Sequence, residues 1–197
     1  MKVKLSNQLL YPLPMLVTFL LPACSSQLAQ RVTSIGHAFA YGNIDSTLAV
    51  VYTDDVRFEL GAIILEGKQA MRVAAGWDSV VNSHFFYSDY RSLGDTVVCK
   101  CTEENDLDKM LGIEHGYFDP VSFVFDHSRI MYVKFQRTAE SRHQYNAAWD
   151  PFTKWASVER GQELAALMPA GKFAVSAQTA EGWLALAREW RKVTKSR

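Results

Sequence analysis

Apolar residues first recur along the chain at helical spacing. Leu28, Val32, Ile35 and Phe39 put one stripe on a helix that Gly42-Asn43 stops. Asp45 is placed to cap a short second helix carrying Leu48, Val51 and Tyr52, with Asp54-Asp55 at its end. The period then changes to two. Val56-Arg57-Phe58-Glu59-Leu60 alternates apolar and charged residues, the pattern of a half-buried strand, and Gly61 turns the chain into Ile63-Ile64-Leu65. Glu66-Gly67-Lys68 opens a third helix on which Val73, Trp77 and Val80 share a face. His84 to Leu93 is aromatic and strand-like, Gly94-Asp95 signals a hairpin, and Thr96 to Thr102 is the returning strand. Glu103 to Lys109 is acidic and turn-rich, which predicts a loop. Leu111 to Phe125 and Ile130 to Arg137 are two further strands joined at Asp126-His127-Ser128-Arg129. Beyond Thr138 the helical period returns, with Phe152, Trp155 and Val158 on one face, then Leu164 and Leu167, then Trp183, Leu186 and Trp190.

Long consecutive strands joined by hairpins predict an antiparallel, strongly curved sheet, and the segregated helices make the class α+β. The expectation is a sheet wrapped around the N-terminal helices, with residues 139–197 as a helical extension packed on the same domain. The extension's aromatic face (Phe152, Trp155, Trp183, Trp190) requires burial, because so large an exposed patch would be unusual.

Composition narrows the partners. The chain has 197 residues, ordinarily one domain, with 21 basic and 21 acidic side chains and a formal net charge of zero. A nucleic-acid binder would need a concentrated basic face, and none is present outside the closing helix. Residues 1–23 read as a signal peptide. Lys2 and Lys4 lead an apolar segment, Leu9 to Leu21, that is too short to span a bilayer. It ends in Leu21-Pro22-Ala23-Cys24, which resembles the acylation motif of bacterial lipoproteins, although Pro22 departs from that pattern. That resemblance implies lipid attachment at Cys24, a mature domain from residue 24, and a place in the cell envelope. An ordinary secretory signal or uncleaved anchor, or a mis-called start codon, are the alternatives. Cys99 and Cys101, two apart on a strand, are badly separated for bridging each other, so no disulfide framework is expected.

The order of elements from Phe39 to Lys68 (helix, Gly-Asn-Ile-Asp, helix, Tyr-Thr-Asp-Asp-Val-Arg-Phe, then Leu-Glu-Gly-Lys), together with Phe123-Val124-Phe125-Asp126 and Ile130, resembles the nuclear transport factor 2-like superfamily. This superfamily includes ketosteroid isomerases and SnoaL-like polyketide cyclases. The resemblance covers residues 28–138 and implies a cone with a pocket at its open end. It does not imply one chemistry, since this scaffold hosts isomerases, hydratases, cyclases and binders. The steroid-isomerase positions fall at Ile35, Leu60 and Val121. All three are apolar and unable to stabilise a dienolate, so that mechanism is disfavoured.

Strand periodicity suggests what lines the pocket instead. If Val121, Phe123 and Phe125 face inward, Tyr117 and Asp119 share their face, as does His115 on an unbroken strand. His115 would titrate near neutrality, Asp119 would orient it and Tyr117 would donate to a substrate oxygen. A bulge at Gly116 or Pro120 would reverse that facing. Met131, Val133 and Phe135 form the inward set of the last strand, continued by Arg137, with Phe58 on the first strand. Trp77, Tyr87 and Tyr90 offer aromatic area with a polar tip. No metal-ligand spacing and no phosphate loop is present, and no cofactor is expected. The expected function is to hold a small apolar molecule, oligomeric state open. The alternative is a cofactor-free isomerase, cyclase or hydratase using His115, Tyr117 and Asp119.

Overall fold

The structure is a computed structural model describing Gln30, Val32 and residues 44–195. The signal peptide, Cys24 and Ile35 lie outside the described residues. Val32, from the expected first stripe, is helical and fully buried in the main core.

Helix α1 (Ile44–Val51) runs directly into strand β1 (Tyr52–Leu60), so Asp54-Asp55 lies inside a strand and does not end a helix. Long-range pairing decides this. Tyr52 pairs with Ile130, the buried Thr53 hydroxyl donates to the Ile130 carbonyl at 3.4 Å, and a register shift between Tyr52 and Arg57 absorbs the two exposed aspartates. Strand β2 (Ile63–Glu66) and helix α2 (Gly67–Val80) follow as the sequence predicts. On α2, however, Met71 and Ala75 are the buried positions, and Val73 is exposed.

Strands β3 (His84–Leu93) and β4 (Thr96–Glu104) form the expected hairpin, with β4 two residues longer than its pattern suggested. The acidic stretch is not a loop. Asn105 accepts from the Asp108 backbone N–H at 2.7 Å and caps a short helix, α3 (Asp106–Leu111), which Gly112 ends in the left-handed conformation. Strands β5 (Gly116–Asp126) and β6 (Arg129–Arg137) complete a six-stranded sheet in the order β2-β1-β6-β5-β4-β3. All neighbours are antiparallel except β1 and β6. Bulges in β3, β5 and β6 bend the strands, and the sheet curves around its inner face.

That inner face carries Val97, Cys99, Cys101, Phe118, Val121, Phe123, Val133 and Phe135, packed against Leu48, Tyr52 and Met71. The bulge between Val124 and Phe125 puts Ile130 inside and leaves Met131 outward, which corrects the expected facing of Met131. The outer face is wetter. There Glu59 accepts from the Arg57 Nε and from the Tyr132 hydroxyl, each at 2.8 Å.

The extension forms helices α4 (Ala139–Glu159), α5 (Gly161–Leu167) and α6 (Ala177–Lys195). Trp149, Phe152, Leu167, Trp183 and Leu186 form a second core, and Val81, Leu107 and Ile113 from the preceding domain belong to it. The extension is therefore packed on the same chain through α2 and α3. Val158 is 75% exposed and lies off that face. Gly182 permits the closest approach, because a Cβ there would sit 2.6 Å from a Leu167 methyl.

Candidate active site in the cone

Between the curved sheet, α2 and the extension lies a cavity of about 170 Å³. Its apolar wall comes mainly from strands, through Phe58, Leu60, Phe85, Phe118, Phe123, Val133 and Phe135. Trp77 and Tyr87 border it as well, as do Tyr145, Trp149 and Phe173 from the extension. Of the eight ligand-binding candidates, Tyr90 alone is not on this wall. A bulge between Ser88 and Arg91, with Asp89 at φ 55°, moves Tyr90 off the cavity, where it packs at the edge of the main core.

His115, Tyr117 and Asp119 do not line the cavity, contrary to the expectation from an unbroken strand. One extra residue of β5 lies between Phe118 and Val121, opposite both neighbouring strands. Phe118 is therefore inside, while Tyr117 is 44% exposed and Asp119 faces solvent 3.9 Å from Lys100. His115 lies before the strand, 3.2 Å from Glu104, and borders a shallow outer groove with Tyr117. The acid–base set proposed from periodicity is thus turned away from the cone.

A different polar group closes one end of the cavity, and each member arrives by ordinary local structure. Glu103 continues the inward period of Cys99 and Cys101 along β4. Asp78 falls at i, i+4, i+7 with Met71 and Ala75, the buried stripe of α2. Asp108 returns to the same side three residues after Asn105, and Arg137 follows Phe135 by two on β6. The Asn105 amide donates to Glu103 Oε1 at 3.0 Å and to Asp108 Oδ2 at 3.2 Å, bridging the two acids while its oxygen caps α3.

The Arg137 guanidinium lies between two rings, 4.7 Å from the centre of Phe118 and 4.3 Å from that of Tyr145. A Cβ on Gly116 would come within 2.9 Å of Arg137 Nη1, so the guanidinium lies directly against the Gly116 backbone. The same point is 3.8 Å from Glu103 Cβ, which makes Arg137 and Glu103 neighbours.

Three acids and one arginine in an apolar surround cannot all be charged cheaply. Burial pushes the Asp78 carboxyl up to about 7, against a small opposing effect of Ser83. Burial raises Glu103 well above the usual carboxylate range, and Asp108 and Asp78 raise it further, while Arg137 and Asn105 oppose. Asp108 is also raised by burial, with Arg137, Asn105 and the nearby Trp149 indole opposing. Trp149 Nε1 approaches Asp108 but closes no hydrogen bond of ordinary geometry, and Arg137 Nη1 has none either. Burial thus moves all three carboxyls upward, so that each holds its proton to a higher pH than an exposed carboxyl. The cysteines add no chemistry, since burial pushes the Cys99 thiol up to about 12 and Cys101 higher. Among the described residues no group of acids, histidines and cysteines is arranged to hold a metal ion. Among them, too, no helix is long and apolar enough to cross a membrane.

The acids were legible in part. Glu103 could have been found by extending the β4 alternation two residues. Asp78 could have been found from the stripe it shares with Met71 and Ala75. Tyr145 and Trp149 carried no signal for a site across 40 residues of intervening chain.

No family model and no curated protein matches the sequence. Solved structures do resemble the fold. SalBIII, an epoxide hydrolase/cyclase-like enzyme of pyran ring formation in the polyether salinomycin, is similar at a TM-score of 0.49 and 14% identity, covering 59% of this chain and 94% of that one. A SnoaL-like polyketide cyclase candidate from Jannaschia sp. CCS1 has a TM-score of 0.47 and 11% identity over 60% of this chain and 90% of its own. A nuclear transport factor 2-like protein of unknown function from Cytophaga hutchinsonii has a TM-score of 0.45 and 9% identity over 57% and 90%. Likeness at this level carries no chemistry. The side chains in the cavity are this chain's own.

Proposed function

We propose that the chain binds a small, largely apolar molecule in the cone. The supporting observation is the cavity of about 170 Å³ walled by aromatic side chains and closed at one end by hydrogen-bonding groups. An apolar cavity of about 150 Å³ takes a benzene ring. One or two rings therefore suit this volume, and an enclosed four-ring steroid does not, in line with the apolar residues at the steroid-isomerase positions. A thermal-shift panel of one- and two-ring compounds tests the reading. A ligand at about 100 times its dissociation constant stabilises the fold by ~2.7 kcal/mol, which raises the melting temperature of a chain this size by roughly 5–10 °C. Indifference to the whole panel would end it.

A second reading, cofactor-free proton-transfer catalysis of the isomerase, cyclase or hydratase kind, is favoured by one observation. Burial pushes Asp78 up to about 7, beside the Glu103–Asp108 pair on the wall of the same cavity. In this reading those acids replace His115, Tyr117 and Asp119 as the proton carriers.

Export with a lipid on Cys24 is part of the same proposal, and it rests on Leu21-Pro22-Ala23-Cys24 after a short apolar segment. A cell-envelope location, membrane contact through that lipid and plain secretion as the alternative all follow from it. An alkyne analogue of palmitate fed to bacteria expressing the chain should label the wild type and not Cys24→Ser. Equal labelling of the two would refute acylation at Cys24.

A further inference from the structure

The polar end of the cavity has donors that the chain does not satisfy. Arg137 Nη1 and Trp149 Nε1 are buried without a hydrogen-bond partner, and Trp149 as a whole is only 8% exposed. Unpaired buried donors are costly, and two of them on residues bordering one cavity call for an acceptor. A third donor is available beside them. The single Asn105 amide group reaches one oxygen of Glu103 and one of Asp108, leaving the second oxygen of each carboxyl. Two carboxyls so close, Asp108 buried and Glu103 part-buried, relieve their repulsion by retaining a proton, which is then free to be donated.

Charge decides what kind of acceptor fits. A cationic ligand would suit the acids but would bring further donors up to Arg137 and Trp149, leaving both unpaired. An anionic ligand would satisfy those donors but could stay only while all three acids keep their protons, since each that ionises repels it. A neutral acceptor oxygen satisfies the donors and leaves the charge unchanged. The rest of the ligand must fill about 170 Å³ of mainly aromatic wall.

We propose that this end of the cavity recognises a neutral carbonyl oxygen on a one- or two-ring apolar molecule, the oxygen taking hydrogen bonds from Arg137, the Trp149 indole and a carboxylic acid of the Glu103–Asp108 pair. The inference rests on the cone being a ligand cavity, and it adds the chemical class of the ligand.

Four probes sharing one skeleton test it by titration calorimetry on the full chain: indane, 1-indanone, 2-aminoindane and indane-2-carboxylate. At pH 6.5, 1-indanone is expected to bind at least tenfold more tightly than indane. That advantage should fade toward pH 9 as the carboxyl pair loses its proton. Glu103→Gln keeps an N–H donor, so it should retain the preference with a flatter pH profile. Glu103→Leu should weaken the preference while indane still binds. Equal binding of indane and 1-indanone overturns the inference and leaves the cavity reading standing. So does tightest binding of the ammonium or the carboxylate probe. Failure of all four to bind removes both.

Discussion

Unfolding in urea across a pH series is expected to show stability falling as pH rises from about 4 through 7. The sign follows from proton counting. Asp78 holds its proton to about 7 in the folded chain, whereas the unfolded chain releases it near the ordinary aspartate value of 3.8. Between those values the unfolded state binds fewer protons, so each pH unit costs up to ~1.4 kcal/mol for one such group. The contribution is fully present below the unfolded value and is lost by about 7. The Glu103–Asp108 pair, raised in the same direction, extends the fall to higher pH. At the acid end the slope reverses. Asp54, Glu59, Asp89 and Glu104 have partners that hold them below the usual carboxylate range, and their ion pairs are lost as pH drops through it. Maximum stability should therefore lie on the acid side of neutrality. Asp78→Asn and Glu103→Gln cannot ionise, so each should flatten the slope and stabilise the chain at pH 8. A wild-type profile that is flat or rising between pH 5 and 8 would contradict the upward shift of these acids. If the cavity is catalytic, the same two variants should lose turnover while keeping ligand affinity at pH 6.5.

The second large effect lies in the extension. Trp183→Ala is expected to cost ~3–5 kcal/mol, the usual loss for emptying a buried tryptophan site. Trp183 is fully buried, 5.2 Å from the Trp149 ring and stacked on Phe173 at 5.4 Å. Phe173 and Trp149 are also cavity wall, so ligand affinity should fall with stability. Trp183→Phe separates packing from polarity. The indole N–H of Trp183 is buried without a partner, so phenylalanine removes an unsatisfied donor along with some volume. Its cost should be clearly smaller than that of Trp183→Ala, because less volume is emptied and an unsatisfied donor is removed. Urea midpoints and a ligand titration on both variants decide the matter. If Trp183→Ala is nearly neutral, or leaves ligand affinity intact, the extension and the cone do not act as one unit.

How much the sequence shows depends on the range of the cause. Alternation along residues 56–60 and from Val97 to Cys101 survives into the structure because strand facing is a local period. Phe123, Val133, Phe135 and Arg137 were placed on the inner face by the same counting. Tyr117 and Asp119 were misplaced by one residue. The bulge that turns them out is set by how β5 registers against β4 and β6, which local period does not encode. The acidic run from Glu103 to Lys109 read as a loop because charge ordinarily seeks water. Turning Glu103 and Asp108 inward depends on Arg137 and the extension helices, brought in from about 30 to 45 residues away, with Asn105 bridging the two acids locally.

The sequence by itself determined the α+β class, the hairpins, the curved sheet and the need to bury the aromatic extension, since all of these follow from periodicity and composition. The tertiary structure alone decided where the polar end of the cavity lies. Three acids, one arginine and two extension aromatics meet there only after the sheet has curved and α4 has packed against it. Desolvation, the force that retunes those acids, exists only once that packing is complete.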